Sequence, residues 1–443
     1  MNILSITAGA AGMYCGSCLR DNALAVELLR RGHKVTLLPL YTPTNPDEHN
    51  VSRHEVLFGG ISVYLQQYSP FFRKFRFLDR LIDSPWFITA LASRSLSTDP
   101  RLLGELTVSM LEGETGVLRK EFDKLLEWIA GEDVADVINL PNTLLIGLAA
   151  PLRRAVGRPI CCTLQGEDLF LQGLIEPYKS RAIGLIKQQV PQVDRFISVS
   201  EYYVPAMSKM LAIPPERMAV VPLGINLDGY APAPRGRRDP FRVGYFARIA
   251  PEKGLLELAD AYILLRQRTQ DARMRLDAAG YLAPAQAGYL DSVKRKLAAA
   301  GLAGEFMYHG ALDRDAKLKF LQSIDVLSVP ATYDEPKGVF VLEAMAEGVP
   351  VVQPRRGAFT EMVEKTGGGL LVAADEPAAL AGGIKQLFDD PVLADRLAAQ
   401  GFDGVRQHYS IARSTDRLLA VYDSMTVAST MRPSDHQDRA AGF

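Results

Sequence analysis

Short apolar runs alternate along this chain with stretches in which apolar positions recur every three to four residues, the signatures of buried strands and amphipathic helices. Residues 2–7 predict a strand, and after the small-residue loop 8–16 a helix is expected over 17–31. Leu19, Ala23, Val26 and Arg30 fall on its repeat, Arg30 and Arg31 suit the negative end of its dipole, and Gly32 stops it. Residues 34–40 complete a βαβ unit. Further strands are expected at 61–67, 136–139, 159–164, 195–200 and 218–222. Residues 229–240 then break the periodicity with Pro232, Pro234, Gly236 and Pro240, which makes them the interdomain linker. Beyond it the rhythm resumes, with strands at 241–246, 273–279, 305–310 and 325–330 and helices at 285–300 and 314–322. A helix bounded by Gly338 and Gly348 leads into a strand from Pro350, and Gly367, Gly368 and Gly369 precede a last short strand. Helical segments over 377–424 follow, with a disordered tail after about 428. Alternation of this kind predicts an α/β protein of doubly wound parallel sheets.

Length divides the chain in two, because 443 residues exceed one ordinary core. The expected domains are 1–228, with a variable insert over about 42–130, and 241–405, followed by a closing helix 406–428 and the tail 429–443. A formal net charge of −1 gives no basic field for nucleic acid. Apolar runs such as 144–152 are far shorter than the ~20 residues that span a bilayer, and no leader precedes the first strand, so a cytoplasmic protein, soluble or peripheral at the inner membrane surface, is expected. Residues 70–101 gather Phe71, Phe72, Phe75, Phe77, Trp86 and Phe87 with six basic against three acidic side chains. A helical cap, an acceptor pocket and weak peripheral membrane contact all fit that mixture. Four cysteines do not make a disulfide framework. Cys161 and Cys162 belong to a strand and read as core, while Cys15 and Cys18 form a C-x-x-C pair, a spacing shared by redox motifs and half zinc sites; with no second C-x-x-C or C-x-x-H, the pair reads as loop geometry first.

Candidate chemistry gathers in 334–352. Glu335 precedes the helix and Glu343 lies within it, eight residues on; a fully helical interval would separate them by about 12 Å. The carboxylates of glycoside hydrolases stand roughly 5–9.5 Å apart across one bond, so this pair is expected to hold two parts of one ligand. Open N–H groups near Gly338 and Val339 suit an anion, and the element reads as a clamp for a phosphorylated sugar. In the first βα loop Gly9, Gly12 and Gly16 lack the spacing of a dinucleotide fingerprint. Loops at the strands' carboxyl ends, 9–16, 165–168 and 223–226, are expected to face ligand.

The run Glu335-Pro336, Gly338, Leu342-Glu343-Ala344-Met345-Ala346, Gly348 and Pro350-Val351-Val352 resembles the donor-site signature of GT4-type retaining glycosyltransferases (glycosyltransferase group 1). The resemblance covers nearly all of 130–425 and, more loosely, 1–41. It implies a GT-B fold, two facing Rossmann-like domains with the active site in the cleft between them. It implies transfer of a hexosyl unit from a nucleoside diphosphate sugar to an acceptor hydroxyl, without cofactor or metal. Arg248-Ile249-Ala250-Pro251-Glu252-Lys253-Gly254 is similar to the family's G-R-x-x-x-E-K-G, which makes Arg248 and Lys253 the expected neutralisers of the leaving diphosphate. Glu335 is expected at the donor sugar and Glu343 at the ribose, with Pro336, Lys337, Gly338 and Val339 completing donor binding.

Departures fall in the first domain. Cys15-Gly16 stands where the family has Gly-Gly, and Gln165 in Thr163-Leu164-Gln165-Gly166-Glu167-Asp168 stands where it has histidine. Glutamine bonds a hydroxyl but exchanges no proton near pH 7. Gly16, Gln165, Glu167 and Asp168 are therefore expected to line the acceptor and sugar side, with a soluble sugar or small molecule favoured over a lipid. Gly357 to Val363 is similar to the family's G-G-x-P-E-x-V but carries Ala358 and Thr360. Two further classes fit the same clamp. One is a nucleotide-sugar epimerase using Glu167 and Asp168 as acid and base; the other is a non-catalytic nucleotide-sugar sensor.

Overall fold

The computed structural model describes residues 1–9, 16–58, 100–232, 239–269 and 273–430. The expected strand 61–67, nearly all of 70–101, Cys15 and the tail from 431 lie outside the described residues. Two compact units result: Met1–Val199 with Val204–Val221 and Thr415–Phe443, and Ser200–Tyr203 with Pro222–Ser414. The division falls at Val221, ahead of the proline-rich stretch 229–240 expected to be the linker.

The first unit is built on a six-stranded parallel sheet in the order β2-β1-β3-β4-β5-β6. Its strands are β1 (Asn2–Thr7), β2 (Lys34–Pro39), β3 (Val137–Leu140), β4 (Ile160–Leu164), β5 (Arg195–Ser198) and β6 (Met218–Val220). Every residue of β3 and β4 is buried, the pattern of a sheet covered on both faces. Helix α1 (Gly16–Arg30) follows β1. Its expected stripe is corrected in part: Ala23 is buried, but Leu19 and Val26 are only half-buried and Arg30 is exposed, while the helix also buries Leu24, Ala25 and Leu28 together with the polar Arg20, Asp21 and Asn22. Further helices are α2 (Pro100–Leu111), α3 (Arg119–Ala130), α4 (Ala149–Val156), α5 (Asp168–Gly173), α6 (Tyr178–Gln189) and α7 (Tyr203–Leu211).

The second unit carries a six-stranded parallel sheet in the order β12-β11-β10-β7-β8-β9. These are β7 (Phe241–Phe246), β8 (Met274–Ala279), β9 (Phe306–Tyr308), β10 (Val326–Leu327), β11 (Val351–Pro354) and β12 (Gly369–Val372). Order reverses between β7 and β10, a topological switch point at whose carboxyl ends open α/β sheets bind ligands. The helices are α8 (Leu255–Arg268), α9 (Ala287–Ala299), α10 (Arg314–Ser323), α11 (Val339–Ala346), α12 (Gly357–Thr366), α13 (Pro377–Asp389) and α14 (Pro391–His408). The last helix, α15 (Ile411–Thr430), extends beyond the predicted 424 and enters the position expected for the tail. From Thr415 on it belongs to the first unit, where Leu418 and Tyr422 close over Ile3, Arg20 and Asn139. Among the described residues no helix is long and apolar enough to cross a membrane.

Candidate functional site

The central strand of the second sheet aims the site. Val326 to Pro330 are buried without a break, and at the sheet's carboxyl edge the chain leaves β10 for the loop that carries Glu335, itself only 1% exposed. The turn Pro251–Lys253 after β7 lies against that strand end. Gly254 has φ +75°, and a Cβ there would sit 1.9 Å from the Pro330 carbonyl oxygen, so only glycine permits this backbone approach. The approach sets Lys253 beside Glu335. The Lys253 ammonium pairs with Glu335 Oε2 and donates to the Tyr333 hydroxyl at 2.8 Å, and that hydroxyl donates to the same carboxylate oxygen at 2.5 Å. The Lys337 N–H donates to Glu335 Oε1 at 3.2 Å. Lys253 Nζ also lies 5.0 Å from the centroid of the Tyr333 ring and 5.8 Å from that of Phe340.

Burial alone would raise the Glu335 carboxyl. The Lys253 charge and hydrogen bond, with Tyr333, overcome burial and hold it at about 2. Glu335 is thus a fixed anion throughout the neutral range. Behind it Gly357, at φ +51°, again admits no side chain: a Cβ would come within 2.5 Å of the Glu335 carbonyl oxygen, and the Ala358 N–H donates to that oxygen at 2.8 Å.

Pro336 and Gly338 are buried and lead into α11, whose left-handed N-cap is Gly338 (φ +61°) and whose first residue is Val339. The first N–H groups of a helix, here those of Val339 and Phe340, have no intrahelical acceptor. On the helix itself Glu343, 8% exposed, accepts from Lys317 Nζ at 2.7 Å and from the Tyr230 hydroxyl at 3.2 Å. Arg314 steadies Tyr230, with its guanidinium 5.5 Å from the ring centroid and a bond to the Asp228 carbonyl at 2.6 Å. Tyr230, Lys317 and Tyr333 were not anticipated as members of the site. Tyr230 sits in the stretch expected as linker, and Lys317 is one of several cations on an amphipathic helix, so neither carries a local signal; Tyr333, two residues before Glu335, was within reach.

Arg248 and Lys253 are held by different carboxylates. Arg248 pairs with Glu252 at 2.5 Å and keeps a side chain that is 54% exposed, against 14% for Lys253.

In the first unit the predicted positions separate by environment. Gly16 opens α1 with open space where a Cβ would stand. Gln165 is buried and donates through Nε2 to the Pro141 carbonyl at 2.9 Å and to Asp21 at 3.4 Å. Glu167, expected among the acceptor-side residues, is turned inward. Oε1 accepts from the Thr143 N–H (3.1 Å) and hydroxyl (2.9 Å), and Oε2 accepts from the Gln165 N–H (2.7 Å). Burial raises its carboxyl against those bonds, and the side chain ties two loops together. Asp168 is half-buried at the start of α5. Cys18 is buried against Thr7, and Cys161 and Cys162 are core, with burial pushing the Cys161 thiol up to about 12. Among the described residues no group of three or more His, Cys, Asp or Glu side chains is placed to hold a metal ion.

Two parallel-sheet units, the second with a carboxylate and lysine clamp at its switch point, define a GT-B glycosyltransferase architecture. Sucrose-phosphate synthase from Thermosynechococcus elongatus shares the fold with a TM-score of 0.72 at 18% identity, over 96% of this chain and 99% of the other. HepE of Anabaena, in complex with UDP and glucose, does so at 0.63 and 18%, over 96% and 100%. Residues 232–403 match the family described as Glycosyl transferases group 1 and residues 113–228 the one described as Glycosyltransferase Family 4, and the chain belongs to this group 1, family 4 set. Among its relatives, the phosphatidyl-myo-inositol mannosyltransferase of Mycobacterium leprae (strain TN) is 27% identical over 321 residues, 69% of this chain and 78% of that protein. The D-inositol 3-phosphate glycosyltransferase of Arthrobacter sp. (strain FB24) is 31% identical over 42% of this chain and 47% of its own.

Proposed function

We propose that this glycosyltransferase moves a hexosyl unit from a nucleoside diphosphate sugar to an acceptor hydroxyl, with retention at the anomeric carbon and without a metal ion. The observation that carries the reading is the Lys253–Tyr333–Glu335 cluster at the switch point of a unit whose next helix presents Glu343. Lys253, with Arg248 at the more exposed flank, would neutralise the diphosphate as the bond from the anomeric carbon to its oxygen breaks. The acceptor oxygen forms the new bond on the same face and its proton passes to the departing phosphate. Glu335, ionised at every working pH, has no proton to give; its place is to accept hydrogen bonds from the sugar hydroxyls. Glu343, already accepting from Lys317 and Tyr230, would accept from the ribose. The first N–H groups of α11, after Pro336, Lys337 and Gly338, face the anion.

Gly16, Gln165 and Asp168 remain the proposed acceptor side, with Glu167 as their support. Relatives named for phosphatidyl-myo-inositol and for inositol 3-phosphate favour a polyol hydroxyl as acceptor. The epimerase reading gains nothing from Glu167, whose two oxygens are occupied by internal bonds. A panel of nucleoside diphosphate sugars incubated without acceptor, with and without EDTA, tests the proposal. Slow, EDTA-insensitive hydrolysis of one donor supports it. Isomerised donor means an epimerase, and binding without turnover a sensor; either result overturns it. NMR of a transferred product checks the anomeric configuration.

A further inference from the structure

Helix α10 buries Lys317 together with Phe320 and Leu321, three and four residues on, so a lysine occupies the apolar stripe of an amphipathic helix. Its side chain is 6% exposed, and an ammonium so far from water needs a counter-charge. Glu343 on α11 supplies it through Oε1 at 2.7 Å. The Tyr230 hydroxyl donates to that same oxygen at 3.2 Å. A carboxylate oxygen has two lone pairs, so Lys317 and Tyr230 between them fill Oε1. Oε2 accepts no hydrogen bond among the described residues and is not closed to water. Two acceptor sites therefore remain on Glu343, both on one oxygen, and the two bonds to Oε1 hold the carboxylate plane against rotation. Arg314, one turn before Lys317, keeps the second donor in place through its bond to the Asp228 carbonyl and its guanidinium over the Tyr230 ring.

The ribose of a nucleoside diphosphate brings two donors on adjacent carbons, the 2′- and 3′-hydroxyls, and both can meet Oε2. A 2′-deoxyribose brings one. It leaves a lone pair of a largely desolvated anion unmatched, and a site built to bond a hydroxyl rejects the analogue that lacks it. We propose that Lys317 is the positioning residue that sets the choice of pentose in the donor nucleotide. By filling Oε1 with Tyr230 it leaves Glu343 a two-site acceptor that admits ribonucleoside diphosphate sugars and rejects 2′-deoxyribonucleoside ones. The inference rests on the reading of Glu343 as the ribose ligand of a glycosyltransferase, and adds to it the residue that determines selectivity.

Calorimetric titration of the full chain with UDP, GDP and ADP identifies the base that binds, and the 2′-deoxy form of that nucleotide is then compared with it. The wild type should prefer the ribonucleotide at least about tenfold. Lys317→Met keeps the volume and removes the charge and the donor. It should bring the two affinities to within about threefold of one another, because a carboxylate free to turn can offer either oxygen. Damage that is only structural weakens both nucleotides alike and leaves their ratio unchanged, so an unchanged ratio in folded Lys317→Met overturns the assignment. Should that variant fail to fold, Tyr230→Phe decides. It removes the other bond to Oε1, keeps the ring facing Arg314, and should lower the ratio at least about threefold; a ratio equal to that of the wild type overturns the assignment. Equal wild-type affinity for the two nucleotides overturns it while leaving the transferase reading intact, whereas no binding of UDP, GDP or ADP overturns both.

Discussion

In the proposed mechanism Lys253 serves the chemistry and, through its buried pair with Glu335, the stability of the second unit. Lys253→Ala should lower kcat/KM by ~10²-fold or more, about 2.7 kcal/mol, if, as proposed, it removes the cation that neutralises the leaving diphosphate. It also leaves the buried Glu335 carboxylate without its counter-charge, at roughly 3–5 kcal/mol, so the variant should melt early. Adding Glu335→Gln should recover much of the melting temperature and none of the activity, which calorimetry and kinetics on the two variants check together. Arg248→Ala should cost activity and little stability, because its ion pair with Glu252 is exposed to solvent. Equal melting of the two single variants would sink this division of labour.

Glu335 also sets a pH dependence. Its folded value is lowered, so its contribution is complete above the ordinary 4.5 and disappears as pH falls towards about 2. That contribution is about 3 kcal/mol at neutral pH. Denaturant unfolding at about pH 7 and about pH 3 should show a smaller loss in Glu335→Gln than in the wild type. Glu167 has the opposite sign: its carboxyl is raised, so ionisation opposes folding as pH rises through the folded value. Glu167→Gln would turn an amide NH2 against the Thr143 or Gln165 N–H, costing about 1–3 kcal/mol. The pH–rate profile should keep its shape; a lost limb would restore Glu167 as an acid or base.

At the scale of elements, the loop from β10 through Glu335 into α11 is the most legible part of the chain. Pro336, Gly338, Gly348 and Pro350 mark its boundaries, and the apolar run before it can only be a buried strand. Gly357 extends that logic across two elements. Gly357→Ala would force a Cβ into the Glu335 backbone from α12, and a displacement of about 1 Å at a binding group costs ~10²-fold. The expected outcome is a large fall in kcat/KM, and a normal rate would show that the loop yields. Less legible were the groups that arrive from other elements. Glu343 could be picked from its own motif, but Tyr230 and Lys317 reach it from segments whose local patterns say only linker and solvated helix. The stripe read on α1 held only in part for a related reason: covered on more than one side, the helix buries Arg20, Asp21 and Asn22, and its polar positions stop marking solvent.

For the molecule as a whole, the first unit is not one stretch of chain. Met1–Val199 and Val204–Val221 are completed by residues from Thr415 onward. Leu418 and Tyr422 on α15 close over Arg20 and Asp21, a pair whose side chains are 4% and 1% exposed, and Arg31 bonds Asp416 at 2.6 Å. Ending the chain at Ser414 should therefore expose this buried pair together with Leu24 and Leu28. The first unit should then lose several kcal/mol while the second keeps its own core, giving one early and one unchanged transition in calorimetry. Coincident transitions in the truncated chain would contradict that.

The split has a consequence on the ribosome. A nascent chain makes all six strands of the first sheet early, then spends roughly 10–40 s, at about 5–20 residues per second, adding Pro222–Ser414 before the helix that covers Arg20 and Asp21 is translated. Throughout that interval Arg20, Asp21 and the Cys161 side of the core wait in water. The unit begun first is finished last, and a chaperone able to recognise that open face would have its opportunity then.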